Sequence, residues 1–271
     1  MEGLSGKRLF LLDMDGTLYL GDRLFDGCLD FLRHVREAGG RYIFMTNNSS
    51  KGVRDYVKKL NRLGIAAGYD DFLSSSQATA AYLKANHADD KIYVLGTRSL
   101  KEELLSHGLM VVDTLQDGIG CLTVGFDTEL TFAKLEDACR LLLHDIAYVA
   151  TNPDWVCPTE FGYVPDCGSV CEMLWRASGK RPHVIGKPQP DMPLMAVADS
   201  GFSKEETLIV GDRLYTDIAC GKNAGIDTLL VLSGESTVED MEKSEVKPDY
   251  ILKDIKALDT IWKEDEQPCT R

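Results

Sequence analysis

The sequence predicts an α/β protein, a doubly wound parallel-sheet core with a second α/β domain inserted into it. Three observations predict this. Short runs rich in Val, Ile, Leu and Phe alternate with amphipathic helical segments. The runs are continuous rather than alternating, as strands buried on both faces require. The residues with chemical potential gather at 13–17, 46–50, 187 and 211–217, while the stretch between the second and third groups has strand–helix repeats and none of those signals.

The expected buried strands, in order, are 9–12, 42–45, 92–95, 122–124, 148–150, 208–210 and 229–232. A helix over 53–63 places Val53, Tyr56, Val57, Leu60 and Leu63 on one face, and one over 132–143 does the same with Phe132, Leu135, Ala138, Cys139 and Leu142. The core is expected over 1–77 and 186–271 and the insert over 78–185. The seams are Ser74-Ser75-Ser76 and Gly186-Lys187-Pro188-Gln189-Pro190. The polar tail from Lys263 to Arg271 is expected to fray.

The 271 residues, 44% hydrophobic and 27% charged, are ordinary for a globular chain. A formal net charge of −13 argues against nucleic acid and anionic membranes as partners. It leaves room for a small anionic substrate, because a bound cation reverses the local field. No apolar run approaches the ~20 residues that span a bilayer. No export leader is legible, so the expected location is cytoplasmic. Eight cysteines, at 28, 121, 139, 157, 167, 171, 220 and 269, are scattered and form no CxxC pair. Reduced thiols are expected, and a zinc site is not.

Four motifs carry chemistry. In Leu11-Leu12-Asp13-Met14-Asp15-Gly16-Thr17, an apolar strand runs into two carboxylates. Asp-Gly is a common turn pair, so a plain turn is one reading. The other is a nucleophilic carboxylate beside a proton donor, at the strand end where parallel sheets bind ligands. Close carboxylates repel, which favours a cation between them. In Phe44-Met45-Thr46-Asn47-Asn48-Ser49-Ser50, a strand ends in hydroxyls and amides before a helix. That arrangement suits an anion, or a helix cap made by Ser49 or Ser50. Lys187 stands between Gly186 and Pro188, which restrict its backbone. Leu208-Ile209-Val210-Gly211-Asp212 ends a third strand, and Asp217 follows five residues later. Carboxylate ligands without His or Cys suit Mg²⁺.

The ordered set DxDGT, TNN, GKP and GDxxxTD resembles the haloacid-dehalogenase-like superfamily of hydrolases. The resemblance implies a Rossmann-like core and a phosphatase. It casts Asp13 as the nucleophile and Asp15 as the general acid/base, whose main-chain carbonyl also reaches the metal. Thr46 and Lys187, with Asn47 beside Thr46, are implied to bind phosphate. Asp212 is implied to ligate Mg²⁺ directly, together with Asp13, and Asp217 to support it. The position of the insert after the Thr46 motif, the Thr151-Asn152-Pro153-Asp154 segment and Gly211-Asp212-Arg213 resemble the NagD-like, 4-nitrophenylphosphatase-type branch. This implies an inserted cap that sets selectivity, small phosphorylated metabolites as substrates, and a homodimer formed through the cap.

Asp166, in Val164-Pro165-Asp166-Cys167-Gly168-Ser169, stands where the branch often has a small residue. It is expected either to contact the substrate or to cap the helix that follows. Tyr215 occupies a place where the branch varies. A phosphotransferase or mutase on the same core, and a non-catalytic phospho-acceptor module, are the alternative functions. Asp15 and the long insert both speak against the acceptor module.

Overall fold

The computed structural model describes residues 3–159 and 161–266. It divides into two compact units: Met1–Met45, Val57–Leu73 and Lys187–Arg271 form one, and Thr46–Tyr56 with Ser74–Gly186 form the other. Set against the expected domain bounds, residues 46–56, 74–77 and 186 group with the second unit, while the change of unit at 73/74 and 186/187 lies at the expected seams. The serine run there also starts a helix. The Ser74 hydroxyl accepts the Gln77 N–H at 3.2 Å, and the Ser74 N–H donates to Gln77 Oε1 at 2.8 Å. This capping box opens the helix Ser75–Asn86. Of the tail, residues to 266 continue the helix Ile255–Glu266; residues 267–271, with Cys269, lie outside the described residues.

The first unit is built on a six-stranded sheet. Its order is Tyr250–Leu252, Asp227–Val231, Thr207–Gly211, Leu9–Leu12, Arg41–Thr46, Phe72–Ser74. Leu9–Leu12 pairs in parallel with Thr207–Gly211 on one side and Arg41–Thr46 on the other. All four of its side chains are buried, as its unbroken apolar sequence requires. Counted along the chain, the strand order is 3-2-1-4-5-6, that of a doubly wound sheet. The order reverses between Leu9–Leu12 and Thr207–Gly211. There the loops above two neighbouring strands diverge to opposite faces and leave a crevice. On one face, Phe10, Phe31 and Trp262 pack edge to face, with ring centroids 5.1 to 6.3 Å apart.

The second unit has its own five-stranded sheet, in the order His183–Val184, Ala147–Ala150, Ile119–Val124, Lys91–Leu95, Met110–Val112. Every pair is parallel. A two-stranded antiparallel ribbon joins Val156–Thr159 to Gly162–Pro165. This sheet is also doubly wound, and its own switch point lies between Lys91–Leu95 and Ile119–Val124. The chain itself occupies the strand ends there. Ser49 is fully buried, its Oγ taking the Phe126 N–H at 2.9 Å and meeting Thr151 Oγ1 at 2.8 Å. Thr97 Oγ1 donates to the Ser50 carbonyl at 3.1 Å. These bonds draw residues 46–56 into this unit.

The helices Val53–Arg62 and Phe132–Leu141 lie where the periodicity put them, although Phe132 at the head of the second is exposed. The strands 72–74, 110–112 and 250–252 are three residues each, too short for a periodicity to be legible, and the ribbon's strands are largely exposed. No described helix is long and apolar enough to cross a membrane. The seven described cysteines are free thiols.

Trp262 is 1% exposed, and its Nε1 has no hydrogen-bond partner among the described residues. Trp262→Ala should therefore lower unfolding free energy by about 3–5 kcal/mol. Trp262→Phe, which removes the orphan donor, should cost less than about half of that. Urea titration checks both, and equal losses would mean that the indole N–H is satisfied.

Candidate active site

Asp13 follows the first strand of the doubly wound sheet and Asp212 follows the fourth, so both stand at its switch point. The ladder runs on into the site, because the Asp13 N–H donates to the Val210 carbonyl at 2.9 Å. Lys187 enters from the start of the chain's last segment. Its Nζ donates to Asp13 Oδ1 and Asp217 Oδ1, both at 2.6 Å, and to the Met45 carbonyl at 3.3 Å. Asp217 sits on a single π-helical turn, Leu214–Ile218, that leads into the helix Ala219–Ala224. Its Oδ2 takes the Arg213 N–H at 3.2 Å. Gly211 makes room for it: a Cβ there would lie 2.3 Å from the Asp217 side chain.

Oxygens of Asp13, Asp212 and Asp217 lie within 4.8 Å of one another. Lys187 pairs with two of these three carboxylates, Asp13 and Asp217. Burial pushes the Asp13 carboxyl up to about 6 against the pull of Lys187, with Asp217 adding to the rise. Burial, then Asp13 and Asp217, push Asp212 up to about 8. Burial would lower Lys187, but the two carboxylates outweigh it and hold its ammonium more firmly than usual.

The residues fit a hard divalent cation. The ligands are all oxygen, the charge is in excess, and buried Asp212 Oδ1 has no hydrogen-bond partner among the described residues. Asp212 Oδ2, by contrast, takes the Glu235 N–H at 2.7 Å. Gly16, at φ +86°, and Gly234 crowd that carboxylate; a Cβ on either would come within 2.4 Å of Oδ2.

Asp15 stands apart from the cluster. Its side chain is half exposed, 3.7 Å from Lys59 Nζ, and that ammonium lies 4.0 Å over the Tyr19 ring. Thr46 closes the strand next to Leu9–Leu12, but it and Asn47 group with the second unit. Asn47 Nδ2 donates to Asp154 Oδ2 at 2.7 Å, and Thr46 Oγ1 takes the Asn48 N–H at 3.2 Å. The capping role offered for Ser49 or Ser50 gives way to other partners: Ser49 is held by Phe126 and Thr151, and Ser50 Oγ donates to Asn48 Oδ1 at 2.7 Å.

Asp166 caps the helix that follows it, one of the two roles expected of it. It is 4% exposed and precedes the helix Cys167–Ser178. Its Oδ1 accepts the Cys167 N–H, and also Asn152 Nδ2 at 3.1 Å. The sequence reading missed residues 233–236, although a signal was present. Ser-Gly-Glu-Ser follows an apolar run, just as the polar clusters follow the strands before Asp13, Asn47 and Asp212.

The raised Asp212 pKa has a sign that can be tested. A carboxyl that titrates near 4 in the unfolded chain and at about 8 when folded adds stability below the lower value. That contribution is lost as pH rises through the upper one. In chelator, Asp212→Asn should therefore gain melting temperature over wild type as pH rises from about 5 to about 9. A gain of ~3 °C corresponds to roughly 1 kcal/mol in a chain of this size. A constant difference across that range would show that Asp212 is not strained by its charge.

The family model for haloacid dehalogenase-like hydrolases matches residues 10–110, and a HAD-hydrolase-like model matches residues 184–258. An acid sugar phosphatase from Staphylococcus epidermidis is 33% identical over 91% of this chain and 94% of its own. The solved 4-nitrophenylphosphatase of Thermotoga maritima is 40% identical, with a TM-score of 0.92, covering 97% of this chain and 100% of that one. A glycerol phosphate phosphatase from Mycobacterium tuberculosis, solved with magnesium and with calcium, is 32% identical. For the magnesium form the TM-score is 0.89, over 95% of this chain and 78% of that one. The chain belongs to the haloacid dehalogenase-like hydrolases.

Proposed function

We propose that the protein is a phosphatase of small phosphate monoesters, sugar phosphates among them, that works with Mg²⁺ and through a phosphorylated Asp13. The observation that carries this is the Asp13 carboxylate at the sheet's switch point, paired to Lys187 at 2.6 Å and within reach of Asp212 and Asp217. The phosphatase names of the relatives support the same class.

In the first step an Asp13 oxygen attacks phosphorus and the bond to the leaving alcohol breaks. The Asp15 carboxyl gives its proton to the departing oxygen. In the second step Asp15 takes a proton from water as that water attacks phosphorus. The bond to Asp13 breaks, inorganic phosphate leaves and the Asp13 carboxylate is restored. Lys187 offsets the repulsion between a phosphate dianion and the nucleophile. Thr46 and Asn47 are assigned to the phosphoryl group through the motif they share with the family. Asp13 and Asp212, with the Asp15 carbonyl and with Asp217 in support, would hold Mg²⁺. When bound, the ion withdraws charge from the phosphoryl oxygens. The exposed setting of Asp15 suits a group that must meet both alcohol and water.

Asp13→Asn should reduce phosphate release to background and keep the fold. Asp15→Asn should lose about 10²-fold or more on alkyl esters and still label Asp13 from 4-nitrophenyl phosphate. EDTA should stop turnover, and Mg²⁺ should restore it. Phosphate release assays and intact-protein mass spectrometry check these outcomes. Turnover by Asp13→Asn near the wild-type rate would end the covalent reading.

A further inference from the structure

The segment 233–236 is stapled along the Asp212 loop. Glu235 N–H donates to Asp212 Oδ2 at 2.7 Å, and Ser236 N–H to the Asp212 carbonyl at 3.1 Å. Leu214 N–H returns a bond to Ser236 Oγ at 3.2 Å. The Glu235 carboxylate closes the staple: Oε1 accepts the Tyr215 hydroxyl at 2.8 Å, and Oε2 pairs with Arg213 Nε at 2.9 Å. Ser233 Oγ donates to the Gly16 carbonyl at 2.8 Å, tying the segment to the loop behind Asp15. Asp212 is left with two unlike oxygens. Oδ2 is occupied and hemmed in by two glycines, while buried Oδ1 has no hydrogen-bond partner among the described residues.

We propose that Glu235 is a positioning residue that makes Asp212 a one-oxygen ligand, through Oδ1, and so sets the preference of the site for magnesium over calcium. The inference rests on the reading of Asp212 as a metal ligand. Mg²⁺ demands six ligands in a near-ideal octahedron at short range, while Ca²⁺ takes six to eight and accepts both oxygens of one carboxylate. For Asp212 to grip an ion with both oxygens, Oδ2 must give up the Glu235 N–H. The staple resists that, because Glu235 is tied by its side chain to Arg213 and Tyr215, which flank the Asp212 turn. The larger ion is thereby denied a ligand that the smaller one does not use. Without its carboxylate, residue 235 keeps its own N–H bond and the bonds of Ser233 and Ser236 but loses the ties to Arg213 and Tyr215, and Oδ2 becomes freer to turn. Conserved supports of metal ligands commonly change affinity by about 10- to 100-fold when removed.

Calorimetric titration of the substrate-free protein with Mg²⁺ and with Ca²⁺ tests this, using wild type, Glu235→Ala, Glu235→Gln and Asp212→Asn. Circular dichroism of each chelated variant checks the fold. Glu235→Ala should weaken Mg²⁺ binding by ~10-fold and leave Ca²⁺ equal or tighter, shifting the ratio by at least that factor. Glu235→Gln keeps an acceptor for Tyr215, loses the charge that pairs with Arg213, and should fall between; it carries the test if the alanine variant misfolds. Wild-type Mg²⁺/Ca²⁺ ratios in the folded Glu235 variants, with binding lost in Asp212→Asn, would overturn the role of Glu235 alone. Asp212→Asn binding Mg²⁺ like wild type would instead overturn the metal reading, and the inference with it.

Discussion

Three carboxylates, two buried and one half-buried, gathered near one ammonium are the constraint on which the rest of the structure depends. Lys187 touches two of the three, Asp13 and Asp217, and cannot neutralise them all. The remaining negative charge is held in place by the covalent frame: two strand ends that neighbour each other, a π-helical turn and a loop crossing from the next strand. Burial first, and the neighbouring carboxylates after it, push the Asp13 and Asp212 carboxyls upward. An all-oxygen cluster with its charge in excess fits a divalent cation.

The doubly wound sheet makes the gathering possible. Its strand order reverses beside Leu9–Leu12, so two loops part and leave Asp13 and Asp212 facing the same crevice. Glycines then let the main chain come close: Gly211 beside Asp217, and Gly16 and Gly234 beside Asp212. The second unit repeats the winding and shows the opposite outcome. At its switch point, Ser49 and Ser50 bond to Phe126, Thr151 and Thr97, so the chain's own segment takes the strand ends where a ligand would otherwise sit. Two sheets of one class thus differ in use because of what occupies their crevices.

Much of this was legible from residue order alone. The strands that were called are almost wholly apolar and buried on both faces, which leaves a signal that solvent-exposed elements lack. The short edge strands and the ribbon Val156–Thr159 with Gly162–Pro165 carry mixed patterns, since one face or one edge meets water. Asp13, Lys187, Asp212 and Asp217 were legible because each follows a strand or a restricted backbone turn in a fixed order. Residues 233–236 also follow an apolar run, but their partners Gly16, Asp212, Arg213, Leu214 and Tyr215 lie 20 residues or more away, so their part shows only in the folded chain.

The sequence by itself determined the class of the fold and pointed to an inserted segment and to the carboxylates and lysine of the candidate site, since these readings rest on local periodicity and on short motifs. The tertiary structure decided what depends on partners distant along the chain. It placed residues 46–56 with the second unit through Ser49, gave Asp166 a helix to cap, and left Asp212 Oδ1 open while Glu235 closed Oδ2. A hydrogen bond across 23 residues leaves no trace in either residue's neighbours, so only the folded chain could reveal it.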